Sequence, residues 1–314
     1  MGVLSERFRE QLASGRPLLL DAAMGTELQR RDADTTLPLW SARPLLRDPE
    51  LVWTVHGDEV SAGADILTAN TFRTHARSLA KGGLGERSGE LTARAVQLAN
   101  QAAAAPGREV FVAGSLSPLE DCYRPDLVPL DAALAREHGA QAKFLAAAGV
   151  DLIIAETHNT IREAAAALAA AKETDLPVVL SLVTDGEGRL LSGESIAEAA
   201  RALRPLGPDV LGINCVPAAR LGGDLANLAA AAPGIPLSAY GNLGLPADDT
   251  GWKFSEELSP EAYAEQARGW LALGARIVGG CCGTTAEHTR ALRKLLDGIA
   301  TGPARHEDAR SQNA

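Results

Sequence analysis

The sequence is poor in aromatic residues and cysteine, and it has no long hydrophobic segment. Aromatic side chains make up 4% of its 314 residues, and there are four cysteines. So few cysteines in a chain of this length do not predict a disulfide scaffold and suit a reducing, cytoplasmic setting. No apolar run reaches the roughly 18 residues of a membrane span, and the charged N-terminal stretch is unlike a secretory signal.

Basic residues are also in deficit. The chain has 30 lysines and arginines against 40 acidic residues, which gives a net charge of −10. Because phosphate backbones and anionic lipids attract basic surfaces, nucleic acid and membranes are not expected as partners. The hydrophobic share of 46% is enough for a large buried core, and the composition leaves a homo-oligomer open.

Eight short apolar runs alternate with alanine-rich stretches of helical character along the chain. Several of these runs are continuous rather than alternating, which is typical of parallel strands buried on both faces. Glycines that precede the strands, such as Gly149 and Gly274, predict left-handed helix caps. The predicted strands span residues 17–26, 64–72, 109–118, 150–157, 176–184, 208–216, 235–242 and 275–284.

Eight strands that alternate with helices predict an α/β protein with a single-domain (β/α)₈ TIM barrel over residues 1–300. Residues 301–314 are polar and lack periodicity, which predicts a disordered tail. The second candidate is an open doubly wound sheet. Its Gly-x-Gly-x-x-Gly fingerprint does not follow the first strand, where the chain reads "DAAMGTEL".

Three of the four cysteines fall at the carboxyl ends of predicted strands, where barrels build their sites. Cys215 ends the sixth strand, and the adjacent Cys281 and Cys282 end the eighth. Three thiolates meeting at the rim favour a zinc site with an open fourth position. Inert buried cysteines and a vicinal disulfide remain alternatives, as does a glycine-rich phosphate loop.

Neighbouring residues on a regular strand point to opposite faces, so Cys281 and Cys282 can bind one ion only where the backbone turns. We expect Gly279, Gly280 and Gly283 to permit that turn.

Six motifs resemble one known family. They are "LLLDAAMGTEL", "ILTANTF", "AGSLSPLEDCY", "DLIIAET", "GINCVP" and "GGCCGTT", in this order over residues 18 to 298. With these motifs the chain is similar to the zinc-dependent homocysteine S-methyltransferases, which are (β/α)₈ barrels. Members of the family methylate the sulfur of homocysteine to make methionine.

The resemblance implies that Cys215, Cys281 and Cys282 hold Zn²⁺ and that the homocysteine sulfur takes the open position. Because a thiol bound to zinc is deprotonated, the metal generates the nucleophile without a dedicated base. Asp21 and Glu156 match the family's acidic residues for the substrate ammonium group.

Hydroxyl and amide side chains near the same strand ends are candidates for further substrate contacts. Thr68, Thr71 and Ser115 could donate hydrogen bonds to the substrate carboxylate or satisfy the backbone. Asn214 could orient Cys215 or contact the substrate, and His158 is expected at the rim without binding zinc.

The resemblance leaves the methyl donor open between betaine, S-methylmethionine and S-adenosylmethionine, all of which are small cations. An aromatic cage for such a cation could use Trp40, Phe72, Tyr123 and Trp252, which follow strands. The loop "SLSPLEDCYRPDLVP" departs from the branch of the family that uses sulfonium donors. A separate corrinoid protein could instead present the methyl group, and another small thiol or a selenol could accept it. Two other classes of protein stay open, a phosphate-binding barrel lyase and a non-catalytic zinc protein.

Overall fold

The computed structural model describes residues 3–105, 107–247, 251–255 and 258–300, so the predicted tail at 301–314 lies outside the described residues. The strands are β1 Leu18–Leu19, β2 Ile66–Ala69, β3 Phe111–Leu116, β4 Leu152–His158, β5 Val178–Leu182, β6 Val210–Pro217, β7 Leu237–Asn242, β8 Leu245–Ala247, β9 Gly251–Lys253 and β10 Ala275–Gly280. The helices are α1 Val3–Ala13, α2 Met24–Arg30, α3 Pro44–Arg47, α4 Pro49–Ala62, α5 Ala76–Ala80, α6 Ser88–Ala103, α7 Asp131–Ala148, α8 Ile161–Lys172, α9 Ile196–Leu203, α10 Ala218–Ala231, α11 Pro260–Ala272 and α12 Ala286–Ala300.

Eight parallel strands form a closed barrel. Their order is β1-β10-β7-β6-β5-β4-β3-β2, and each consecutive pair is hydrogen-bonded in parallel. The two ends of this sheet also meet, because Leu20 bridges Ile66 in parallel and the Asp21 amide donates to the Ile66 carbonyl at 3.0 Å. The predicted single-domain (β/α)₈ barrel is confirmed, and the open doubly wound sheet is wrong.

The barrel interior is packed with large apolar side chains that alternate with outward-facing ones along each strand. Phe111, Ile154, Val210 and Ile277 belong to the interior cluster and are almost fully buried. Helix α1 closes the amino-terminal end of the barrel, where the Phe8 ring packs edge-on against Phe111 with the ring centroids 5.5 Å apart. The cavity described below lies at the opposite, carboxyl end of the barrel.

The outward-facing strand residues pack against the surrounding helices. The outer cluster contains Val112, Ile153 and Leu211 from the strands with Leu145 and Leu168 from the helices. Alanines on the buried helix faces allow close packing of helix on sheet, which is why an alanine-rich sequence needs few aromatic residues in its core. Gly149 and Gly274 take φ of 86° and 102°, which confirms the predicted left-handed caps.

The ends of two predicted strands were wrong. The run 17–26 forms only the short strand β1, and its last residues open helix α2 at Met24. The run 275–284 ends as a strand at Gly280, so both of its cysteines lie in the loop that follows. The sequence patterns also missed the antiparallel hairpin of β8 and β9, which extends the loop after β7. Among the described residues, the structure has no helix that is long and apolar enough to cross a membrane.

Candidate metal and substrate site

Three cysteine sulfurs converge at the carboxyl end of the barrel. The Sγ atoms of Cys215, Cys281 and Cys282 lie within 4.8 Å of one another, and all three thiols are free. Cys215 is buried, whereas Cys281 and Cys282 are partly exposed to the cavity. The sixth and eighth predicted strands correspond to β6 and β10. The structure brings their cysteines together at the rim of the barrel, as predicted.

An irregularity in β6 directs Cys215 into the site. Val210 faces the barrel interior, so strict alternation would turn residue 215 outward. The register with β7 shifts between Asn214 and Pro217, and Cys215 takes a φ of 54°, in the left-handed region that a non-glycine residue rarely occupies. Such strain, with a bulge, is characteristic of functional sites because it re-aims a side chain.

Cys281 and Cys282 converge because the chain turns immediately after β10. The Cys281 amide donates to the Gly241 carbonyl at 2.8 Å, and the Cys281 carbonyl accepts from the Thr284 amide at 3.1 Å and its hydroxyl at 2.7 Å. Gly283 takes a φ of 85°, and a Cβ there would lie 1.9 Å from the Leu243 carbonyl oxygen. Gly283 is thus required at the turn, as expected.

Gly279 and Gly280 do not make the turn, contrary to expectation. Both belong to β10 and neither takes a positive φ. They permit close packing instead, because a Cβ at Gly279 would lie 2.6 Å from the Cβ of Leu20, and one at Gly280 would collide with the Thr284 side chain.

Two buried carboxyl groups stand beside the cysteines in the cavity. Asp21 accepts from the Thr68 amide and the Thr68 hydroxyl, each at 2.8 Å, and Glu156 accepts from the Ser115 hydroxyl at 2.6 Å. Burial, followed by the charge of Glu59, raises the pKa of Asp21 well above its ordinary value. Burial also raises the pKa of Glu156 to about 7, despite its hydrogen bond from Ser115. Both groups would be stabilised as carboxylates by a cationic ligand.

The other predicted polar residues hold these groups in place. Thr68 and Ser115 line the cavity but donate their hydroxyl protons to Asp21 and Glu156. Thr71 does not line the cavity, and its hydroxyl bonds the Ser115 backbone.

Asn214, which also lies outside the cavity lining, ties the ends of β6 and β4 together. Its side-chain amide donates to the Thr157 hydroxyl at 2.8 Å and accepts from the Thr157 amide at 3.0 Å. Its Nδ2 atom also lies 3.4 Å from Glu156. His158 is fully buried beside His138 rather than at the rim, and its Nε2 lies 3.2 Å from the Leu116 carbonyl oxygen.

The cavity has a volume of about 230 Å³ and brings the cysteines, the acidic pair and the four predicted aromatic residues together. Trp40, Phe72, Tyr123 and Trp252 all contribute to its wall. The Tyr123 hydroxyl also lies 3.1 Å from the sulfur of Cys215, which links the loop after β3 to the cysteine cluster.

Tyr240 and Arg73 are among the polar residues of the cavity wall to which sequence reasoning assigned no role. The Tyr240 hydroxyl is buried close to the side chains of Glu156 and Ser181. Its position at the end of β7 was the available signal. Arg73 directly follows the motif "ILTANTF", and a basic residue next to a site motif was the signal there.

The three thiols fit a zinc ion. Zinc binds sulfur at about 2.3 Å, so tetrahedral ligation would place the sulfurs about 3.8 Å apart, within reach of the observed cluster. The hydrogen bond with Cys281 and burial raise the pKa of Cys215, so a bound cation is needed to keep these sulfurs ionised. Three protein ligands with a free fourth position are typical of catalytic zinc sites.

The fold and the site together define a (β/α)₈-barrel protein with a three-cysteine candidate metal site beside a buried acidic pair. The chain belongs to the homocysteine S-methyltransferase family, whose model matches residues 18–296.

Two curated relatives and one solved structure place the chain within this family. It is 31% identical over 303 residues to a methionine synthase of Mycobacterium tuberculosis, with 91% of this chain and 25% of the relative covered. The chain thus spans about a quarter of the length of that relative. It is 29% identical over 318 residues to homocysteine S-methyltransferase 3 of Zea mays, with 91% of each protein covered. The metallated form of the homocysteine methyltransferase MmuM from Escherichia coli matches with a TM-score of 0.77 at 29% identity, covering 91% of this chain and 99% of that one.

Proposed function

We propose that this protein transfers a methyl group to the sulfur of homocysteine and forms methionine, with Zn²⁺ held by Cys215, Cys281 and Cys282. The observation that carries the proposal is the convergence of three thiols within 4.8 Å beside a buried pair of carboxyl groups. Bound zinc would act as a Lewis acid that keeps the substrate sulfur deprotonated at neutral pH. The free thiols accord with a cytoplasmic location.

Asp21 and Glu156 are proposed to bind the α-ammonium group of homocysteine. Both carboxyl groups line the same cavity as the cysteine sulfurs, so one small molecule can reach both. Thr68 and Ser115 orient the two carboxylates through their hydrogen bonds. Asn214 keeps the ends of β4 and β6 together, which fixes Glu156 relative to Cys215.

The aromatic wall supports a small cationic methyl donor. Trp40, Phe72, Tyr123 and Trp252 surround the cavity, and aromatic faces attract the quaternary ammonium of betaine or a sulfonium group. An alternative donor is a methylated corrinoid carried by another protein. This corrinoid alternative is favoured by the similarity of the chain to a methionine synthase that is about four times as long as the matched region.

A donor panel tests the proposed function. We expect the zinc-loaded protein to form methionine from homocysteine with at least one of betaine, S-methylmethionine, S-adenosylmethionine and a methylated corrinoid. Methionine is measured by mass spectrometry, with Cys282→Ala as the control that should lose turnover with every donor. Absence of methionine with all four donors would count against the proposal.

The binding of L-methionine is expected to weaken as the pH falls below 7. This thioether is a better probe than homocysteine because it binds without losing a thiol proton. The ammonium group requires ionised carboxylates, and Glu156, with a pKa of about 7, becomes protonated as the pH falls through that value. Protonation of this one group should therefore lower the affinity for L-methionine by up to about tenfold for each pH unit below 7. Calorimetric titration at several pH values checks this, and a flat profile in the wild type would contradict it.

In Glu156→Gln the pH dependence of methionine binding should be shallower. The remaining slope would come from Asp21, whose pKa is raised in the same direction. A profile identical to that of the wild type would assign the titration to another group.

A further inference from the structure

The cavity wall contains a cation for which the residues that the structure describes provide no ion-pair partner. Arg73 lies between β2 and α5 and is the basic residue among the described residues that line the cavity. Its Nε atom is buried without a hydrogen-bond partner, and its closest aromatic contact places Cζ 5.5 Å from the centroid of the Phe72 ring. Nearby Arg77, by contrast, pairs with Glu137 and Glu120.

The groups around Arg73 in the described part of the chain do not supply a compensating negative charge. Arg73 lowers the pKa of the buried Cys122 thiol and of His75, but burial is the largest influence on both and keeps both neutral. Asp121 also lines the cavity, yet its carboxylate accepts from the Tyr123 amide at 2.9 Å and forms no ion pair with Arg73 among the described contacts. An unpaired guanidinium in a partly buried wall is costly unless a ligand brings the opposite charge.

The three hydroxyl groups that the sequence predicted for the carboxylate of an amino acid are committed to other acceptors. A hydroxyl has one proton to donate. Thr68 gives its proton to Asp21, and Ser115 gives its own to Glu156. Thr71 donates to the Ser115 carbonyl. Among the described residues of the cavity wall, Arg73 is thus the cationic side-chain donor that has no ion-pair partner.

We propose that Arg73 binds the α-carboxylate of an amino-acid substrate in this cavity, an inference that depends on the proposed function. Asp21 and Glu156 would bind an ammonium group and Arg73 a carboxylate, so the cavity matches a zwitterion. The planar guanidinium can hold a carboxylate through two parallel hydrogen bonds. The carboxylate belongs either to homocysteine or to the methyl donor, because betaine, S-methylmethionine and S-adenosylmethionine each carry one.

The test removes the guanidinium group from the protein and, separately, the carboxylate group from the ligand. Calorimetry measures the binding of L-homocysteine and of 3-aminopropanethiol, which lacks the carboxylate, to zinc-loaded wild type, Arg73→Met and Arg73→Lys. Arg77→Met is the matched control, because it removes an arginine that lies outside the cavity wall. Unfolding midpoints of all variants verify that they are folded.

If Arg73 holds the homocysteine carboxylate, Arg73→Met weakens the binding of homocysteine about 10- to 100-fold and leaves 3-aminopropanethiol unaffected. Arg73→Lys recovers part of the lost affinity, because lysine restores the positive charge but cannot form the two parallel hydrogen bonds of a guanidinium. If Arg73 holds the donor carboxylate, homocysteine binds normally to Arg73→Met, and the KM of the donor rises by a similar factor.

The proposal is overturned if Arg73→Met changes neither homocysteine affinity nor donor KM by more than Arg77→Met does. An equal loss for homocysteine and 3-aminopropanethiol would also overturn it, because that pattern indicates a structural role. Failure of the wild type to bind homocysteine would overturn the proposed function itself, which separates the two outcomes.

Discussion

Replacing Cys215 by alanine is expected to remove zinc from the protein and to abolish methyl transfer. The variant would keep only two of the three clustered sulfurs. Cys215 is also the ligand that β6 holds in place with a strained backbone. Loss of residues that merely support metal ligands costs about 10- to 100-fold in metal affinity, so loss of a ligand should cost at least about 100-fold. Metal analysis after dialysis against a weak chelator measures the effect.

The matched control for this variant is Cys122→Ala. Cys122 is a free, buried cysteine that also lines the cavity, but its sulfur is not part of the three-sulfur cluster. We expect this variant to retain about one zinc per chain. Full zinc retention by Cys215→Ala, or equal loss in both variants, would exclude the three-cysteine assignment.

Replacing Glu156 by glutamine is expected to weaken homocysteine binding severely while leaving zinc bound. The carboxylate would face the substrate ammonium in a buried site, where loss of one partner of a charge pair costs about 2–5 kcal/mol. The corresponding loss of affinity is roughly 30- to 5,000-fold. The KM for homocysteine, measured together with metal content, reports both quantities.

Glu59→Gln serves as the matched control for Glu156→Gln. Glu59 is also buried, and burial raises its pKa to about 7 as well, but its side chain lies outside the cavity and accepts from Thr289 at 2.6 Å. Its effect on the KM should stay well below that of Glu156→Gln. If Glu156→Gln lost its zinc, Glu156 would have a role in holding the metal rather than the substrate.

The barrel and the meeting of the cysteines could be predicted because both follow from local patterns. Continuous apolar runs mark parallel strands, and the carboxyl ends of such strands face one side of the barrel. Cys215 and Cys281 therefore had to approach each other once their strands were assigned. Gly283 could be predicted at the turn because adjacent ligands need a reversal of the chain.

Details that depend on the folded neighbourhood could not be predicted. The φ of 54° at Cys215 arises where β6 shifts register against β7, and a single sequence does not reveal that shift. The expected roles of Thr68 and Ser115 likewise depend on which acceptors lie nearest, and the structure brings Asp21 and Glu156 to them. The lack of an ion-pair partner for Arg73 among the described residues likewise depends on what the fold brings near it.

Zinc K-edge X-ray absorption of the zinc-loaded protein, with and without homocysteine, tests the central claim most directly. Without substrate we expect three sulfur scatterers at about 2.3 Å and one lighter atom. With homocysteine the lighter atom should be replaced by a fourth sulfur at a similar distance. A spectrum with fewer than three sulfurs, or one that homocysteine leaves unchanged, would contradict the account.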